Sequence, residues 1–140
     1  MGAPPVTEGL FRIEPDGAVT LRGGWSPSSG LAHFPPGPVC PYTGADDVEV
    51  RDLPRTGRLW LWTAVTNAPP GYHGRVPYGI GIVELDGGLR VVGRLTEADP
   101  SRLHEGMPVE VVADELPDGE DGRVTTWAFA PSTSAPVAGR

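Results

Sequence analysis

Hydrophobic and polar positions alternate clearly only after Gly57. Residues 58–66 are rich in aromatic and β-branched side chains, which fit a pleated, half-buried surface, and predict a strand. Residues 78–85 and 89–96 predict two more, joined by a tight turn at Asp86, Gly87 and Gly88. Residues 108–114 and 123–129 complete a set of five. Between the third and fourth, Asp99 is placed to cap a single helical turn with Pro100 at its first position. Five strands with a short helical element after the third is the pattern of an OB-fold barrel. Gly79, Gly81 and Gly93 fall inside strands, which fits bulges and sharp coiling in a small closed barrel. Trp60 and Trp62 alternate and are expected on one face.

Upstream the pattern is weaker. Residues 1–9 read as a loose start, and 11–22 alternate faintly, with a short strand at 18–22. Residues 23–44 are rich in Gly, Pro and Ser and predict irregular chain; alternation returns around Val48, Val50 and Leu53. The expected division is an N-terminal arm over 1–22, a ribbon-like segment over 23–53, the barrel over 54–130 and a disordered tail over 131–140. The whole is mainly β. The 20 glycines and 17 prolines among 140 residues agree, since both break long helices.

Charge and composition narrow the chemistry. Eleven basic residues, every one arginine, stand against 18 acidic ones, a net of −7. An acidic chain with scattered arginines repels phosphate backbones, so nucleic acid is not an expected partner. The missing lysine excludes Schiff-base, pyridoxal-phosphate and P-loop chemistry. One cysteine, Cys40, excludes an internal disulfide. No segment has the length of a membrane-spanning helix and residues 1–9 lack signal-peptide character. A soluble, cytoplasmic protein with no membrane partner is expected.

Two short spacings hold the most chemical information. Ser26 and Ser29 are separated by two residues and followed by Gly30; Cys40 and Thr43 repeat the spacing before Gly44. A zinc ribbon presents four ligands from two such turns, each closed by a residue tolerant of positive φ. Here three of the four positions are hydroxyls, which are too weakly acidic to bind zinc at neutral pH, so no metal is expected. His33 lies between the turns, at no ligand position. Cys40 with His33 lacks the third group and oxyanion hole of a nucleophilic centre. Asp46, Asp47 and Glu49, and Glu115, Asp118, Glu120 and Asp121, read as solvated acidic loops.

The segment containing Gly30, Phe34-Pro35-Pro36, Val39-Cys40-Pro41 and Gly44 resembles the motif of the DUF35 family, a rubredoxin-like zinc ribbon followed by an OB-fold. Residues 68–72, 76–78, 83–86 and 106–109 are similar to the family in order and spacing. The chain departs from it at Ser26, Ser29 and Thr43. The resemblance implies a non-catalytic accessory subunit of a thiolase-fold enzyme acting on acyl-CoA thioesters: a thiolase, acyltransferase or retro-aldolase. It implies no cofactor of the chain's own, and acyl-CoA contact only at a partner interface. The proline-stiffened loop with Pro69, Pro70, Tyr72, Pro77 and Tyr78 is the expected docking element. Two other readings stay open. A stand-alone OB module would stack Trp60, Trp62, Tyr72, Tyr78 and Trp127 on single-stranded nucleic acid. An acyl-CoA binder would gather Arg58, Arg90 and Arg94 around phosphates.

Overall fold

In the computed structural model, residues 9–70, 76–118 and 122–132 are described. Nine strands are found among them: β1 (Phe11–Ile13), β2 (Val19–Ser26), β3 (Leu31–His33), β4 (Glu49–Asp52), β5 (Thr56–Val65), β6 (Tyr78–Leu85), β7 (Arg90–Leu95), β8 (Pro108–Asp118) and β9 (Gly122–Pro131). The last five close a barrel in the order β5-β6-β7-β9-β8, with β7 and β9 parallel and the other neighbours antiparallel. This is the OB-fold expected from the sequence. The turn at Gly87 and Gly88 closes as predicted, with Gly88 N–H donating to Leu85 O at 2.8 Å. The helical turn is 3₁₀, Pro100–Arg102, and Asp99 Oδ1 caps it by accepting from Ser101 N at 3.0 Å.

The strand glycines face the barrel interior, where closure leaves no room for a methyl group. A Cβ on Gly93 would lie 2.7 Å from the Phe129 ring, and one on Gly81 would lie 2.8 Å from Leu61 O. The core is continuous from Phe11, Val19 and Leu21 through Leu59, Val83, Leu85 and Val109 to Phe129. Phe11 and Phe34 both meet Trp127 edge-on, with centroids 5.9 and 5.5 Å apart, and so fasten the N-terminal strands to the barrel.

Three expectations are corrected. The first concerns the arm: β2 runs through the boundary expected between Arg22 and Gly23, and Val19 and Leu21 are fully buried. Arg12 clamps Asp52 through two nitrogens at 3.2 and 2.8 Å, and this pairing lowers the Asp52 pKa. The second is that residues 23–44 are not wholly irregular, since β2 pairs with both β3 and β4. Gly23 and Gly24, read as breakers, are what this pairing needs: a Cβ on Gly23 would lie 2.7 Å from His33 O. The third is that Trp60 and Trp62 do not share a face. A bulge between Leu59 and Leu61 resets the alternation, leaving Trp60 under Arg90 and Trp62 against the core. At the other end, Pro131 closes β9 opposite Val109, and Ser132 N donates to Pro108 O at 3.0 Å. Residues 133–140 lie outside the described set. Among the described residues no helix is long and apolar enough to cross a membrane.

Candidate functional site

Two places in the fold gather the residues singled out above. One is the pair of turns with metal-ligand spacing. In the first turn Ser29 N and Gly30 N both donate to Ser26 O, at 3.2 and 2.7 Å. In the second, Gly44 N donates to Cys40 O at 2.8 Å. Gly30 and Gly44 have φ of 69° and 80°, the left-handed region expected of them. The turns face each other. Ser28 Oγ and Thr43 Oγ1 are 2.8 Å apart, and Asp47 accepts from both Ser28 N and Ser28 Oγ at 2.9 and 3.2 Å. Cys40 and Ser26 are almost wholly buried at the centre.

Cys40 lies between the two turns, and the buried Ser26 Oγ beside it makes no hydrogen bond of its own. Burial raises the Cys40 pKa, but the hydroxyls of Ser26 and Thr43, the backbone N–H of Tyr42 and the hydroxyl of Ser29 outweigh it and lower the pKa to about 6. The two turns therefore lie side by side, with Ser26 and Cys40 buried and Ser28 joined to Thr43 across them. The donor set does not fit zinc. It offers one thiolate, and Thr43 Oγ1 already bonds Ser28 and Ala45 N. Among the described residues no three or more His, Cys, Asp or Glu side chains are grouped to hold a metal ion. Nor does the cluster resemble a catalytic centre, since its thiol is 1% exposed. His33 is buried too; its ring packs edge-on against Tyr42 at 6.4 Å.

The second place is the outer face of β5, β6 and β7. Arg58, Glu84 and Arg90 form one row across the strands, and Leu61, Ile82 and Val92 the next. Arg90 stacks 3.6 Å over Trp60, and Arg94 lies 4.5 Å over Tyr78 while pairing with Asp114 at 3.4 Å. Arg58 donates to Gly106 O at 2.9 Å. The three arginines thus share a sheet face, but each has its own anchor and they do not enclose a phosphate. Leu61 and Val92 are 53% and 57% exposed. They border a shallow groove of about 300 Å³ with Trp62, Thr63, Ile80 and Ile82. Sequence reasoning missed this apolar row. Its signal was the Gly-Ile-Gly-Ile run at 79–82, in which glycines fill the interior positions and the isoleucines face outward. Pro69, Pro70 and Pro77 are exposed and Tyr78 is half-buried; Tyr72 lies outside the described residues.

A closed OB barrel preceded by two glycine-closed turns, with hydroxyls at three of the four ligand-spaced positions, defines a structural class rather than a reaction. Residues 50–114 match the family described as the C-terminal OB-fold domain of ChsH2. The chain is 35% identical over 92 residues to a "DUF35 domain-containing scaffold protein" of Pyrococcus furiosus, covering 65% of this chain and 68% of that one. It is 36% identical over 98 residues to a "probable enoyl-CoA hydratase alpha subunit" of Thermomonospora curvata, covering 70% of this chain but 29% of that one. The solved "Ltp2-ChsH2(DUF35) aldolase" superposes with a TM-score of 0.60 at 29% identity, over 80% of this chain and 84% of that chain. The chain belongs to the DUF35 family.

Proposed function

We propose that this protein is a non-catalytic accessory subunit that binds and organises an enzyme acting on acyl-CoA thioesters, and that the enzyme has a thiolase fold. The observation that carries this reading is the likeness, over 80% of this chain, to a solved chain of the "Ltp2-ChsH2(DUF35) aldolase". Relatives named as scaffold proteins and as a hydratase alpha subunit point the same way. The geometry supports it from the other side. Among the described residues neither place assembles a nucleophile, base and oxyanion donors.

Charge disfavours the nucleic-acid reading. Arg12, Arg22, Arg51, Arg94, Arg102 and Arg123 each face a carboxylate, so no continuous basic groove is built from them. In this reading the loop between β5 and β6, with Pro69, Pro70, Tyr72, Pro77 and Tyr78, belongs to the partner interface. Any acyl-CoA contact arises there, not in a pocket of this chain. The test is Tyr72→Ala in the assembled complex. Loss of about 2 kcal/mol or more of binding with an unchanged melting temperature supports the loop assignment. Unchanged binding removes it.

A further inference from the structure

We infer that the outer face of β5, β6 and β7 centred on Leu61, Ile82 and Val92 is a docking surface for the acyl-CoA enzyme subunit, and that it receives an apolar ridge flanked by carboxylates. This rests on the accessory-subunit reading and gives it a place on the barrel.

Gly79, Gly81 and Gly93 take inward positions, and the alternate, outward positions of β6 and β7 carry Ile80, Ile82 and Val92. Ile80 and Ile82 therefore meet Leu61 and Val92 on the solvent side, and a row of aliphatic residues crosses three strands without cover. One edge is cationic. Among the described residues Arg58 and Arg90 make no ion pair, whereas the six arginines named above do. Glu84 lies between them in register, so that row carries a net +1 on a chain of net −7. Arg90 is held over Trp60, so its guanidinium is already ordered before a partner arrives. An aliphatic centre with fixed Arg, Trp and Tyr at its rim is the composition that concentrates binding energy at protein interfaces.

The same charge pattern argues against a second copy as occupant. A second copy has the same apolar row and the same cationic edge, and so offers no dedicated carboxylate rim opposite Arg58 and Arg90. A partner surface with carboxylates beside an apolar ridge satisfies both features.

The test uses the full chain co-expressed with a thiolase-fold acyl-CoA enzyme from the same host. Val92→Asp and Leu61→Asp each place a carboxylate on an exposed position, and the melting temperature of each variant reports that the barrel is intact. Both are expected to weaken the complex at least about tenfold. Arg90→Glu is expected to weaken it most at low salt. A photo-crosslinking residue at position 61 is expected to capture the enzyme subunit on an apolar segment next to Asp or Glu. The same residue at Val50, on β4, serves as control. Capture of a second copy of this chain overturns the proposal. So does a wild-type complex that is insensitive to both aspartates and crosslinks only from position 50; the accessory reading survives that result. If the wild-type chain forms no complex with the enzyme, both readings fail together.

Discussion

Ser28 Oγ and Thr43 Oγ1 meet at 2.8 Å, so a hydroxyl from each turn is joined across the gap that a metal spans in a true ribbon. Asp47 reinforces the link by accepting from Ser28. The turns keep their left-handed glycines, and their centre is occupied by the Cys40 sulfur and hydroxyl groups. Packing of Phe34 on Trp127 and burial of Val19 and Leu21 hold these segments in the core.

The purified protein is therefore expected to contain no stoichiometric zinc, and a chelator should leave its melting temperature unchanged. Elemental analysis beside a thermal melt checks both. One tightly held zinc per chain would contradict this reading of the turns.

Cys40 should make stability depend on pH. Its folded pKa is about 6, below the ordinary thiol value of ~8.5. The native state then binds fewer protons than the unfolded state between these values. The thiolate contribution is full above the unfolded pKa and is lost as pH falls through the folded one. Denaturant midpoints of wild type and Cys40→Ala, measured from pH 5 to 9, should diverge in slope by up to about one proton. Parallel curves would mean the thiol stays neutral.

Trp127 joins the N-terminal strands to the barrel through Phe11 and Phe34. Trp127→Ala should cost about 3–5 kcal/mol by urea denaturation. A loss under about 1 kcal/mol would show that the two parts hold together without it.

Gly93→Ala should destabilise by about 1–3 kcal/mol, because the new methyl group meets the Phe129 ring in a closed interior. Gly37→Ala is the control, since nothing lies within 4 Å of its Cβ position and its φ is ordinary. Equal melting temperatures for the two variants would overturn the packing account of the strand glycines.

The barrel was legible because its strands are dense in β-branched and aromatic residues and its turns carry glycine or capping signals. The two turns at Ser26–Gly30 and Cys40–Gly44 were legible from spacing, because a two-residue gap closed by a positive-φ glycine dictates the turn. What was hidden depends on neighbours. Gly23 and Gly24 look like breakers until His33 is laid across them. The bulge at Trp60 leaves no mark in the strand's own composition, so alternation assigned Trp60 and Trp62 to one face. The outward isoleucines of β6 invert the usual rule, because closure of the barrel reserves the interior for Gly79 and Gly81.

The central claim is that this chain works by binding an acyl-CoA enzyme rather than by catalysis of its own. It is tested most directly by co-expressing it with the host's thiolase-fold enzyme, sizing the product by light scattering, and assaying acyl-CoA turnover with each component alone and with both. The account predicts a stable hetero-oligomer, no turnover by this chain alone, and activity that follows the partner. A chain that stays apart from the enzyme, or turns over acyl-CoA by itself, would contradict it.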